Sequence, residues 1–224
     1  MTLSLAVDIV SDVICPWCFL GARRLATAIA ACPEVAVDVR WRPFFLDPSL
    51  PREGMDRATY MARKFTPERL AAAHERLVEA GREENIDYAF GRIARVPNTM
   101  DAHRVIRWAS SAGNGVQSRV ASALFSSYFE GARDIGDRGV LAGIAGESGM
   151  DANLVAALLD SDSDIDAVRE EVATSTGMGI TGVPCFLLAG RYAVLGAQPV
   201  ETLVEAIRSV AALLESERAS GQTA

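Results

Sequence analysis

Asp12-Val13-Ile14-Cys15-Pro16-Trp17-Cys18-Phe19-Leu20-Gly21 is the stretch whose reading decides the fold. Before it, Leu5, Val7 and Ile9 share one parity and Asp8 the other, the alternation of a strand with one buried face. After it, Leu20, Arg23, Arg24, Leu25 and Ile29 recur at helical spacing, with one apolar face and a short basic patch. A Cys-X-X-Cys pair therefore falls where a strand hands over to a helix. Unpaired N–H groups in a first helical turn favour negative charge, so a cysteine there is favoured as thiolate, the attacking species in disulfide exchange. The second cysteine lies three residues on, one turn inward, close enough to form a disulfide with the first. Cys15 is expected to attack and Cys18 to resolve. Pro16 suits the first helical position, where a missing N–H costs nothing. Half a zinc site and two inert core cysteines are the competing readings. Beyond this pair the chain offers only Cys32, Cys185, His74 and His103, with no second Cys-X-X-Cys and no His pair at ligand spacing, so zinc is disfavoured.

Working outward, Ala31-Cys32-Pro33 ends the helix, and Cys32 is read as a core thiol. Val35, Val37, Val39 and Trp41 then alternate with Ala36, Asp38, Arg40 and Arg42, the clearest period-two signal in the chain. Strand, helix and strand make a βαβ unit, so these strands are expected to be parallel. From about Met55 to Gly177 the period is helical, with starts at Thr66-Pro67, at Asn98-Thr99-Met100-Asp101 and at Val116, and shorter helices around 137–147, 151–159 and 164–176. Thr181 to Leu188 reads as a strand and Arg191 to Leu195 as its hairpin partner across Ala189-Gly190. Pro199 opens a last helix carrying Leu203, Val204, Ile207, Ala211 and Leu214 on one stripe, with fraying expected from Ser216 to Ala224. The fold class is α/β, with residues 1–50 and 178–224 forming one discontinuous domain and 51–177 an inserted helical domain.

The chain has 224 residues, half of them hydrophobic, enough for a substantial core. A formal charge of −7 provides no basic footprint for nucleic acid or an anionic membrane. No apolar run approaches the ~20 residues of a membrane span. Met1 to Leu5 lack a basic leader and Asp8 interrupts the apolar run, so a cytoplasmic location is expected. In that reducing setting a cysteine pair reads as catalytic, not structural.

Several other patterns have simpler readings. Gly177-Met178-Gly179-Ile180-Thr181-Gly182 fits a dinucleotide fingerprint in letters only, since it follows a helix and opens a strand. Asp160 to Glu171 resembles a calcium loop but has Ile165 where a glycine must turn the chain; capping of a helix start explains its acids. His103 is read first as a structural histidine, with lining of the cleft over Cys15 as the functional alternative. Arg23 and Arg24 read as a solvated face. Trp17, an aromatic between the cysteines, reads as substrate-contact surface.

Taken together, Asp8-Ile9-Val10-Ser11-Asp12 with Cys-Pro-Trp-Cys, Trp41-Arg42-Pro43-Phe44, Asn98-Thr99-Met100-Asp101-Ala102-His103-Arg104, Gly182-Val183-Pro184 and Gly196-Ala197-Gln198-Pro199 resemble the DsbA-like thioredoxin family, in particular its cytoplasmic FrnE branch. The resemblance implies a thioredoxin-like fold with a large inserted α-helical domain. It implies a cis Val183–Pro184 peptide beside the cysteine pair, with the backbone before the proline pairing to an extended substrate. The function it implies is thiol–disulfide oxidoreductase or disulfide isomerase, acting on protein or small-molecule disulfides. Cys15 and Cys18 would be catalytic, and Pro16, Trp17, Val183, Pro184 and His103 would contact substrate. No metal or bound cofactor is required, and glutathione or a thioredoxin-type reductant would serve as redox partner. The Pro-Trp dipeptide departs from the Pro-His of strongly oxidising relatives and implies a less oxidising pair. Cys185 after the proline is a second departure; alternation is expected to turn it to the face opposite Val183, as a core thiol. The alternative function is a glutathione-dependent isomerase or transferase of the 2-hydroxychromene-2-carboxylate isomerase type, although those branches carry serine where Cys15 stands. A third is a non-catalytic binding or chaperone module, for which both cysteines would be dispensable.

Overall fold

The computed structural model describes residues 4–221. Strand β1 (Ser4–Ser11) buries Leu5, Val7 and Ile9 as its alternation requires. Helix α1 (Pro16–Ala30) follows, and β2 (Ala36–Pro43) lies parallel to β1 in the register Leu5 to Val37 and Ile9 to Trp41. After a long helical section, β5 (Cys185–Leu188) and β6 (Tyr192–Leu195) complete a sheet of order β2-β1-β5-β6. Strand β5 is antiparallel to both β1 and β6. Ala189 and Gly190 both have positive φ, the conformation of a type I′ turn, which closes this hairpin. Helix α9 (Val200–Gly221) packs across α1.

Between β2 and β5 lie α2 (Arg57–Lys64), α3 (Pro67–Glu83), α4 (Met100–Ala109), α5 (Val116–Phe129), α6 (Arg138–Glu147), α7 (Ala152–Leu159) and α8 (Ile165–Gly177). Local chemistry explains the starts. Thr66, Asp137 and Asp151 each accept a hydrogen bond from an N–H of the first turn of α3, α6 and α7. The section also contains a short antiparallel pair missing from the sequence reading, β3 (Met55–Asp56) with β4 (Arg95–Val96). Two residues per strand are too few to show a period.

Two features weld the helices to the sheet. The Phe19 ring of α1 stacks with Phe125 and Phe129 of α5, and Tyr88 and Phe90 extend the aromatic cluster toward α3. At the β2 edge, Gln117 accepts from the Trp41 backbone N–H at 3.1 Å and Ser118 accepts from its indole N–H at 3.1 Å, which covers an otherwise unpaired strand edge. A third device locks the helices to one another. The Arg104 guanidinium, fully buried, donates to the carbonyls of Leu158, Ser161 and Ser163 and to Asp101, holding the α7–α8 connection against α4.

The structure corrects some local expectations. Residues 181–184 are not strand; Pro184 has no N–H to give a ladder, and pairing begins at Cys185 opposite Val10. Helix α9 runs on through Gly221 where fraying was expected from Ser216; residues 222–224, and the leader reading at residues 1–3, lie outside the described residues. Asp164 does not cap α8: with a positive φ its carboxylate instead accepts from the Trp108 indole at 2.8 Å. Gly177 closes α8, with the Ile180 N–H bonded back to the Ser175 carbonyl, so the glycine-rich stretch is a helix end.

Candidate active site

Cys15 is the N-cap of α1, with extended backbone, and Pro16 occupies the first helical position. The turn leading in is closed by the Cys15 N–H on the Asp12 carbonyl at 3.0 Å, and the Cys18 N–H bonds to the Cys15 carbonyl at 3.0 Å. Both cysteines are free thiols and both are buried. Cys15 keeps 4 % of its surface and borders a cavity, whereas Cys18 keeps 1 % and does not line that cavity. Burial pushes the Cys18 thiol well up, and the hydrogen bond and charge of Cys15 push the same way.

Across from the pair, the Val183–Pro184 peptide is cis, and the Cys15 Sγ lies 3.8 Å from the Val183 carbonyl oxygen, in a donor position. Gly21 allows this approach. A Cβ there would come within 3.0 Å of both Pro184 Cγ and Phe186 Cζ, so any side chain would push the loop from the helix. The Gly196 N–H on the Pro184 carbonyl at 2.8 Å fixes the loop from its other side.

A cavity of about 360 Å³ opens beside Cys15. Pro16, Trp17 and Val183 line it on the cysteine side, and α2 and α3 supply the opposite wall through Tyr60, Met61, His74 and Leu77. Tyr88, behind Pro16, donates its hydroxyl to the Pro16 carbonyl at 2.7 Å; burial, then the nearby Cys15 and Cys18, hold that phenol protonated. Among the described residues no group of His, Cys, Asp and Glu is arranged to hold a metal ion.

The residues singled out in sequence do not all meet. Cys15, Pro16, Trp17 and Val183 share the cavity; Pro184 is buried against Gly21 and does not line it. His103 does not line it either, which corrects the substrate-contact reading. It is 3 % exposed, with its Nε2 3.1 Å from the Phe44 carbonyl and 3.5 Å from Asp12 Oδ1, because the inward face of α4 turns the ring under the β2–α2 connection. Cys185 is a core thiol, as expected, fully buried, but it does not face away from Val183. It packs with Val10 and Ile180 in a small cluster that Val183 joins, because residues 181–184 lie outside the strand and its alternation does not reach back to Val183. Arg24 is not a solvated face residue: it donates to the Ala197 carbonyl at 2.9 Å and pairs with Glu83 and Glu84, and Arg23 lies over the Phe19 ring.

Sequence reasoning missed Asp12 and Arg57. Asp12 is 1 % exposed, and its carboxylate accepts from the Leu46 N–H at 2.7 Å, tying the cysteine turn to the segment after β2. An acid at the end of an apolar strand was the available signal. Arg57 enters the cavity from the start of α2, and nothing in its local sequence marks it.

A dithiol at a helix start, a neighbouring cis-proline loop and a four-stranded sheet with helices inserted before its final hairpin define a thioredoxin-like class of protein. Residues 6–208 match the DSBA-like thioredoxin domain, and the chain belongs to that family. The structure is similar to that of a probable DsbA oxidoreductase from Streptomyces coelicolor, with 30 % identity and a TM-score of 0.82 over 92 % of this chain and 89 % of that one. A 2-hydroxychromene-2-carboxylate isomerase shares the fold, with a TM-score of 0.67 at 14 % identity over 98 % and 99 % of the two chains. In sequence, the uncharacterized protein YwbO of Bacillus subtilis is 24 % identical over 92 % of this chain and 96 % of its own length.

Proposed function

We propose that the protein is a thiol–disulfide oxidoreductase in which Cys15 is the nucleophile and Cys18 the resolving thiol. The observation that carries this reading is the asymmetry of the pair: Cys15 caps a helix at the wall of an apolar cavity, beside the Val183 carbonyl, while Cys18 is sealed one turn behind it. Cys15 stands at the N-terminal, positive end of the α1 dipole. The Cys15 thiolate attacks one sulfur of a disulfide R–S–S–R, forms a Cys15–S–R bond and releases RS⁻. Cys18, once deprotonated, attacks the Cys15 sulfur, forms the intramolecular disulfide and releases the second RS⁻. Two electrons pass from the dithiol to the substrate, and the two cysteine protons leave to solvent or to the released thiolates. The reverse sequence oxidises a dithiol. Glutathione or a thioredoxin-type reductant in the cytoplasm would return the pair to its starting state. Trp17 and Val183 lie where they would touch the bound disulfide.

The test is the redox equilibrium of the Cys15–Cys18 pair against glutathione buffers, read by thiol alkylation and mass spectrometry. A reversible intramolecular disulfide is expected, with Cys15→Ser abolishing exchange and Cys18→Ser accumulating mixed disulfides. If no disulfide forms between these residues, the proposal is wrong. Turnover of an aromatic substrate with glutathione by a Cys18→Ser variant would move the assignment to the isomerase type.

A further inference from the structure

The cavity beside Cys15 contains an uncompensated positive charge. None of its lining residues is Asp or Glu, yet Arg57 and Lys64 both reach into it. Lys64 is already paired, its Nζ 2.7 Å from Asp47 Oδ2. Arg57 has no carboxylate within ion-pair distance among the described residues. Its Nη2 lies 3.2 Å from His74 Nε2, and a guanidinium can only donate, so His74 Nε2 is the acceptor and the ring is neutral. Burial and the charge of Arg57 both hold His74 toward that neutral form. The His74 ring stacks on Phe90 at 4.1 Å between centroids, and the Arg57 guanidinium lies over the same Phe90 ring at 5.7 Å. The cation is thus aimed by a histidine and backed by an aromatic ring, with donors left over. Half-burying a guanidinium in apolar surroundings without an anion is unfavourable, and a ligand anion removes that cost. Leu46 and Phe65, two large apolar side chains left more than 40 % exposed, also line this cavity. Its volume of about 360 Å³ suits a small molecule.

We propose that Arg57, positioned by His74, is a specificity residue that binds the carboxylate of a low-molecular-weight aromatic disulfide whose sulfur meets Cys15. The inference rests on the exchange chemistry proposed above and names its substrate class. The Cys15 thiolate takes one sulfur of the disulfide and the other leaves as the aromatic thiolate. A planar guanidinium fork donates two parallel hydrogen bonds to a carboxylate, and the aromatic walls hold the ring.

The test compares two probe disulfides on the reduced protein, dithiobis(nitrobenzoate), which carries carboxylates, and dithiodipyridine, which has none and is uncharged at neutral pH. Each is followed by the absorbance of the released thiol. Arg57→Gln is expected to lower the ratio of the two rates by about tenfold or more, since even one charge-assisted hydrogen bond lost has that effect and the fork supplies two. Arg57→Lys keeps the charge without the fork and falls between. His74→Phe preserves the ring stack, drops the acceptor and lowers the same ratio. A ratio unchanged in Arg57→Gln, or an equal fall with both probes, overturns the assignment while leaving the exchange reading intact. If Cys15 reacts with neither probe the exchange reading fails instead. Calorimetric binding of free nitrobenzoate then decides the site by itself: binding lost in Arg57→Gln upholds the anion site, and binding absent or unaltered overturns it.

Discussion

The protonation of Cys18 should control the second half of the exchange. Burial is the largest cause of its raised pKa, followed by the hydrogen bond and charge of Cys15, while a backbone hydrogen bond from Asp12 lowers it and the Asp12 charge raises it. In a mixed disulfide Cys15 no longer carries a thiol, so its two contributions vanish. Burial and Asp12 remain, and Cys18 should still titrate above the ordinary thiol value of 9.0. Below its pKa the reactive thiolate fraction rises tenfold per pH unit, equivalent to about 1.36 kcal/mol. Resolution should therefore accelerate about a hundredfold between about pH 6 and pH 8 and continue to climb beyond pH 9. The assay forms a mixed disulfide between Cys15 and a chromophoric thiol at low pH, then jumps the pH and follows release of the chromophore. Asp12→Asn removes the charge and keeps the backbone N–H, so its profile should shift to lower pH. A rate that levels off at or below pH 9 in the wild-type protein would refute the argument, because Cys18 would then titrate like an exposed thiol. The same shift has a consequence for stability. A thiol whose folded pKa lies above its unfolded value contributes fully below the unfolded value and loses that contribution as pH rises toward the folded one. The reduced protein should therefore weaken above about pH 9 relative to the oxidised form, in which Cys18 cannot ionise.

Two packing variants test the scaffold. Arg104→Met removes the buried donor shared by the Leu158, Ser161 and Ser163 carbonyls and Asp101, although Asp101 keeps Arg138 and the Leu158 carbonyl keeps Ser161, and should cost about 1–3 kcal/mol in urea unfolding, the range for losing hydrogen bonds to a charged group. Gly21→Ala places a methyl group 3.0 Å from Pro184 and Phe186; it should cost about 1–3 kcal/mol and slow exchange at Cys15, measured on the same preparation, because the Val183 carbonyl moves with the loop.

Much of the frame was legible because its signals are local. The alternation of Leu5, Val7 and Ile9, the Cys-Pro-Trp-Cys turn and the capping residues Thr66, Asp137 and Asp151 act over a few positions, and the structure realises them within about two residues. The β3–β4 pair was not legible, since its only support is a partner some forty residues distant. His103 illustrates a different limit. Its place on α4 followed from sequence, but which way that face turns depends on what packs against it, and here that is the Phe44 carbonyl and Asp12.

By itself, then, the sequence determined the order and type of the main elements and the strand-to-helix position of Cys15 and Cys18. Those follow from period, capping and turn chemistry, which neighbouring residues impose on one another. Only the tertiary structure decided which face each helix presents, that Val183 meets Cys15 across 168 positions of chain, and that Arg57 stands in an apolar cavity with no carboxylate partner among the described residues while Lys64 is neutralised. Charge compensation and burial are sums over every group that packing brings near, and no stretch of chain carries that sum in its own letters.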